Sequence, residues 1–299
     1  MSLQARAAGL FLRLTVRWPL QSALGTPRIL RVTRRTFNGG SLIFGRPPSG
    51  TSLQPDGARG EWLIPDGRVQ SVVVLYLHGG GYVGGSPAGY RSLTGAIARR
   101  TSARVYVPNY RLAPEHRFPA AVDDSIAAYL GLLESGVSAS HIVVAGDSAG
   151  GGLTLSTALA LRERGLPLPA GLVMLSPWVD LAGTGESHRT NASSDDVVVD
   201  DGSNALARAY LGDRALDDAA ASGLYAVLEG LPPMLIHASR SEVLRDDAVR
   251  LAEKARAAGV EATLRLWDAV PHVWQLFPRL PETRESLDEI AAFVARVCR

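Results

Sequence analysis

Cysteine is nearly absent: the single Cys298 stands next to the C-terminus, so the chain cannot close an intramolecular disulfide or build a thiolate metal cluster. The expected setting is a reducing, cytoplasmic one. Long apolar runs are missing as well. The best stretch, Ala7 to Leu20, is interrupted by Arg13 and Arg17, which argues against a membrane span and against a signal-peptide core. There is no G-x-x-x-x-G-K-[ST] loop, no H-E-x-x-H pair and no Cys/His ligand cluster, so neither a metal nor a cofactor is expected. Acidic residues are missing from Met1 to Pro55, where Arg6, Arg13, Arg17, Arg28, Arg31, Arg34, Arg35 and Arg46 accumulate. This basic arm is expected to be a solvated helical face. Its charge allows weak association with an anionic surface, without a stable membrane anchor or a nucleic-acid partner.

What is present is the composition of a globular enzyme, 46% apolar and 20% charged over 299 residues, enough to bury a sizeable core. Apolar and β-branched runs at Ser71–Leu77, Arg104–Pro108, His141–Ala145, Gly171–Ser176, Met234–Ala238 and Ala262–Trp267 predict buried strands. Helical spacing at Tyr90–Arg100, Ala120–Glu134, Gly150–Arg164, Leu244–Ala258 and Glu282–Val297 alternates with them, which predicts a mainly parallel sheet covered on both faces. Two segments fall outside this rhythm, the basic arm (1–44) and a stretch rich in Asp, Ser, Ala and Gly (182–231). They are expected to fold together over one end of a core formed by 45–181 and 232–299.

The chemistry concentrates in four places. Ile142–Ala145 runs into Gly146-Asp147-Ser148-Ala149-Gly150 and then into a helical pattern. A serine in such a strand-turn-helix elbow exposes its hydroxyl, and small residues two positions away on either side let backbone pass backbone. A serine nucleophile needs a base, and the base needs an orienting carboxylate. His272, in the loop after the last strand, is the expected base; His188 lies in the irregular segment and His237 inside an apolar strand. Glu242, first in the loop after Met234–Ala238, is the expected acid, with Asp246 as rival and Asp247 beside it. Finally, His78-Gly79-Gly80-Gly81 after a strand offers unobstructed backbone N–H groups to an oxyanion. Gly79-x-Gly81-x-x-Gly84 also matches a dinucleotide fingerprint, but no acidic residue lies between Asp66 and Glu115, where a ribose-binding carboxylate is required.

These motifs, with Asn109-Tyr110-Arg111-Leu112-Ala113-Pro114-Glu115, Phe118-Pro119-Ala120-Ala121 and Leu244-x-Asp246, resemble the hormone-sensitive-lipase-like branch of the α/β hydrolases, the bacterial family IV esterases. The resemblance runs from about Val72 to the C-terminus. It implies an α/β-hydrolase fold with an eight-stranded, mostly parallel sheet and a helical cap built from the two irregular segments. It also implies an oxyanion hole from the N–H groups of Gly80, Gly81 and Ala149, and cofactor-free hydrolysis of short- to medium-chain acyl esters. A homodimer is compatible with it. Most members carry Asp where Glu242 stands, a departure that bears on the acid. The gibberellin receptors, similar in fold, lack the histidine and bind without hydrolysing; that non-catalytic alternative and action on an amide or lactone are the rival expectations.

Overall fold

The structure, a computed structural model, describes residues 2–67 and 69–298, the side chains of 200–204 excepted. Its centre is an eight-stranded sheet formed by β1 (Thr51–Pro55), β2 (Gly60–Pro65), β3 (Val73–Leu77), β4 (Arg104–Pro108), β5 (Ile142–Asp147), β6 (Gly171–Leu175), β7 (Met234–Ser239) and β8 (Ala262–Trp267). The strand order is β1-β2-β4-β3-β5-β6-β7-β8. From β4 to β8 all pairings are parallel, while β2 runs antiparallel to β1 and to β4.

The parallel strands are those that the apolar runs predict. β1 escapes that test because Thr51-Ser52-Leu53-Gln54-Pro55 is a largely solvent-facing edge with little apolar signal, and β2 because its apolar stretch, Trp62-Leu63-Ile64, is only three residues long although the strand is mostly buried. Proline is tolerated there since an edge strand can spare a donor.

Helices follow the strands as α4 to α10, after three helices of the basic arm. These are α1 (Leu3–Leu12), continued by a π-helical turn Arg13–Arg17, then α2 (Trp18–Ala23) and α3 (Ile29–Phe44). The core helices are α4 (Arg91–Thr101), α5 (Ala120–Glu134), α6 (Ala149–Glu163), α9 (Arg245–Ala257) and α10 (Pro281–Val297). Within 182–231 lie α7 (Ser187–Thr190) and α8 (Asp200–Leu211). One face of the sheet packs Leu75, Leu77, Val144 and Met174 with Leu153, Leu161, Ile126 and Leu251. The other packs Val74, Tyr76, Val143 and Val173 with Leu93, Ile97, Ile290 and Phe293. Because successive side chains alternate between faces, each central strand feeds both layers and is apolar throughout.

The arm and the segment after β6 meet through Leu20, Ala23 and Ile29 on one side and Val199 on the other. Arg13 pairs with Asp196, and Arg17 donates to the carbonyls of Val198 (2.7 Å) and Ala192 (2.6 Å). Among the described residues no helix is long and apolar enough to cross a membrane.

Candidate active site

β5 ends at Asp147, and α6 starts at Ala149, so the whole reversal from strand to helix falls on Ser148. Its backbone takes φ 52° and ψ −122°, a conformation that L-residues rarely adopt. The strain is held from both sides: the Ser148 N–H donates to the Leu175 carbonyl (2.8 Å), and its carbonyl accepts from Trp178 (2.9 Å) and Gly152 (3.1 Å). A Cβ at Gly150 would collide with the Leu77 carbonyl oxygen, which explains why the chain closes this tightly only with glycine there.

His272 and Glu242 come from loops after neighbouring strands, β8 and β7. The imidazole Nδ1 lies 2.7 Å from Glu242 Oε2, and both side chains are buried. The other carboxylate oxygen, Oε1, accepts from the Ser239 N–H at 2.7 Å, which fixes the direction of the carboxylate. Burial pushes the imidazole pKa down, but the hydrogen bond and charge of Glu242, with the charges of Asp195 and Asp147, outweigh it, and the net displacement is upward. The loop is turned at Val273, in the left-handed region at φ 52°, whose N–H donates to Ser176 Oγ (3.3 Å).

The other candidates are engaged elsewhere. Asp246 accepts from the Ser187 N–H (2.8 Å) and pairs with Arg245. Asp247 accepts from the N–H groups of Val179 (2.9 Å) and Asp180 (2.8 Å) and meets His188. His237 contacts Ser286 (2.9 Å) and Glu289 (3.2 Å) on α10, in the other layer of the fold.

The glycine loop after β3 has two props. His78 lies between the rings of Tyr90 and Tyr110, stacked on the latter at 4.3 Å, and its Nδ1 is 2.8 Å from the Gly79 carbonyl. Burial, only partly offset by that carbonyl, lowers its pKa to about 4, so the ring is neutral at pH 7 and Nδ1–H donates. Asp147, the residue before the serine, is the second prop. It accepts from the Gly79 N–H (3.0 Å), Tyr76 Oη (2.8 Å) and Tyr90 Oη (3.1 Å). Burial raises its pKa to about 6 against these donors and the charge of His272. With Gly79 thus occupied, Gly80 (φ 119°) and Gly81 (φ 63°) bend back. Among the described residues no acceptor is hydrogen-bonded to their N–H groups or to that of Ala149.

These parts converge on one cavity of about 380 Å³, within the roughly 300–1,000 Å³ of small-molecule sites. Gly80, Gly81, Ser148, Trp178 and His272 form its polar end. Leu12, Val16, Leu20 and Ile29 of the arm and Val197–Val199 form apolar walls. Among the described residues no group of three or more His, Cys, Asp or Glu is arranged to hold a metal ion.

Sequence reasoning missed how 182–231 grips the acid loop. Asn191 Nδ2 donates to the carbonyls of Arg240 and Glu242, both at 2.9 Å. Asp195, buried, accepts from Val243 N–H (2.7 Å) through one oxygen and from Val197 (2.8 Å) and Val198 (2.9 Å) through the other. The pair thereby ties the loop carrying Glu242 to the valines that wall the cavity. The only sequence signal was two polar residues four apart in an otherwise irregular stretch. Asp195→Ala would leave those buried amides unpaired, at about 1–3 kcal/mol each. Expected results are a clearly lowered melting temperature and, on a soluble ester, a kcat loss of about tenfold with KM little changed. An unchanged kcat would show that the acid loop holds its position without this tie.

A family model for the alpha/beta hydrolase fold matches residues 74–276. The chain belongs to this family and is one of its enzymes. Within it, the chain sits in the hormone-sensitive-lipase branch. A solved esterase of the bacterial hormone-sensitive lipase family is 40% identical with a TM-score of 0.90, over 100% of this chain and 99% of that one. An acetyl-hydrolase of Streptomyces hygroscopicus is 39% identical over 281 residues, 93% of this chain and 92% of the relative. An esterase of Acinetobacter venetianus is 33% identical over 288 residues, 94% and 93% respectively.

Proposed function

We propose that the chain is a carboxylic ester hydrolase that works through an acyl-enzyme, with Ser148 as nucleophile, His272 as general base and Glu242 as the orienting acid. The observation that carries this proposal is the buried 2.7 Å Glu242–His272 contact, on a ring that shares a cavity with the strained Ser148. With Nδ1 held by the carboxylate, Nε2 is the nitrogen that takes the serine proton. The Ser148 oxygen then attacks the ester carbonyl, and the N–H groups of Gly80, Gly81 and Ala149 donate to the oxyanion. Collapse breaks the ester C–O bond, and His272 gives the proton to the leaving alkoxide. A water deprotonated by the same ring then attacks the acyl carbon, the bond to the Ser148 oxygen breaks, the imidazolium returns its proton to that oxygen and the acid leaves; Glu242 stabilises the imidazolium in both steps.

The relatives' names supply the ester class, and the apolar walls supply the acyl preference. A cavity of this size, walled by side chains from the arm and from 182–231, suits short to medium chains. Kinetics on a p-nitrophenyl ester series from acetyl to palmitoyl test this: kcat/KM should be highest among the acetyl to octanoyl esters and fall steeply at palmitoyl. Equal rates on matched amides or lactones would overturn the ester assignment.

A further inference from the structure

The basic arm carries a feature that its charge alone does not explain. The inward side of α1 is apolar, as a surface helix requires, with Ala5, Ala8, Gly9 and Leu12 buried. A second apolar row runs along its outward side, beside the exposed Gln4 and Arg6, and continues into the π-helical turn and α2. Leu3, Ala7, Leu10, Leu14 and Trp18 follow one another at three- and four-residue steps and are all exposed, Leu14 by 61% and Trp18 by 71%. At the end of α3, Leu42 (90%) and Ile43 (57%) are exposed as well. The two helices converge: Phe11 and Phe44 both contact the ring of Phe277, edge to face. Between them lies the mouth of the catalytic cavity, since the exposed Phe11, Thr15, Arg35 and Ile43 all line it.

The charge around this patch selects its occupant. Arg6, Arg28, Arg31 and Arg35 are exposed and have no carboxylate partner among the described residues, and the arm supplies no acid from Met1 to Pro55. A second copy applied face to face would set two such arms against each other, which like-charge repulsion opposes. An anionic bilayer offers what the patch lacks: phosphates for the guanidinium groups, and an acyl region for leucine and tryptophan side chains lying in the interface plane.

We propose that the outward face of α1, the π-helical turn, α2 and the end of α3 docks on an anionic lipid surface with the cavity mouth turned toward it, so that esters enter from the lipid phase. The docking rests on the surface alone; the entry of esters rests also on the hydrolase function proposed above.

The test uses the full chain with vesicles of phosphatidylcholine alone and of phosphatidylcholine mixed equally with phosphatidylglycerol. Flotation reads binding, and p-nitrophenyl butyrate without vesicles reads the basal reaction. The wild type should float with the mixed vesicles and much less with phosphatidylcholine. The triple substitution Leu10→Ser/Leu14→Ser/Trp18→Ser should weaken flotation by about tenfold or more, and Arg28→Glu/Arg31→Glu should remove the preference for the anionic lipid. Both variants should keep butyrate turnover, since none of these side chains lines the cavity. Wild-type protein that turns over butyrate but fails to float on mixed vesicles overturns the docking and leaves the hydrolase intact. Flotation undiminished in the triple variant overturns the choice of surface. A wild-type dimer that the triple substitution splits, with no flotation, identifies a second copy as the occupant instead. Wild-type protein inert toward butyrate counts against the hydrolase, whatever the vesicles show.

Discussion

Ser148→Ala is expected to lower turnover of p-nitrophenyl butyrate by roughly 10⁴- to 10⁶-fold while leaving the melting temperature almost unchanged. The two halves of this expectation come from different parts of the residue. The backbone at φ 52° is held by Leu175, Trp178 and Gly152, all through main-chain groups that alanine retains, so the elbow and its strain persist. Only the oxygen that would attack the ester is removed. What survives should be the small rate due to the oxyanion donors and to binding. A fluorophosphonate should label the wild type at Ser148 and fail to label the variant. If the variant kept a tenth of the activity, or labelling appeared at another serine, the nucleophile would have to be sought elsewhere.

How far the sequence revealed this protein depended on whether the signal was local. The parallel strands β3 to β7 are buried on both faces and therefore read as continuous apolar runs, and the helices that cover them show their own periodicity; β8, at the far edge, is only partly buried and exposes Thr263 and Arg265. The elbow is also local: strand, five small-residue positions and helix are consecutive, and the collision that a Cβ at Gly150 would cause is written in the glycine itself. β1 was illegible because an edge strand largely in solvent needs few apolar residues, and β2, although mostly buried, because its apolar stretch is only Trp62-Leu63-Ile64. The contacts of Asn191 and Asp195 with the acid loop were illegible for another reason. They are backbone-directed hydrogen bonds across some fifty positions of chain, and such bonds leave no periodicity. The same applies to Asp147, whose three donors come from β3, the glycine loop and the start of α4. The outward apolar face of α1 was present in the sequence, but its arginines drew attention to charge. Only the packing of the arm separates the leucines that face the core from those that face solvent.

The second large effect concerns the acid. Glu242→Gln should cost about 10³- to 10⁴-fold in kcat, because the amide cannot stabilise the imidazolium and can present an N–H where Nδ1–H needs an acceptor. Loss of rate alone does not separate orientation from charge; the pH profile does. A general base must be neutral, so the wild-type rate should climb as pH rises through the His272 pKa. That pKa lies above the ordinary 6.5 because Glu242, helped by Asp195 and Asp147, overcomes burial. In the variant, burial stays while the hydrogen bond to an anion and its charge are lost, so the acidic limb of the profile should move to lower pH. Stability should follow the same linkage. A folded-state pKa raised above its unfolded value stabilises fully below 6.5, and that contribution disappears as pH rises through the folded value. The melting-temperature gap between wild type and variant should accordingly be widest in mild acid and narrow in base. Asp246→Asn and Asp247→Asn serve as controls, since their carboxylates hold Ser187, Arg245, Val179 and Asp180 rather than His272. Both should lose stability without displacing the acidic limb. A limb that moved in Asp246→Asn and stayed fixed in Glu242→Gln would transfer the role to Asp246.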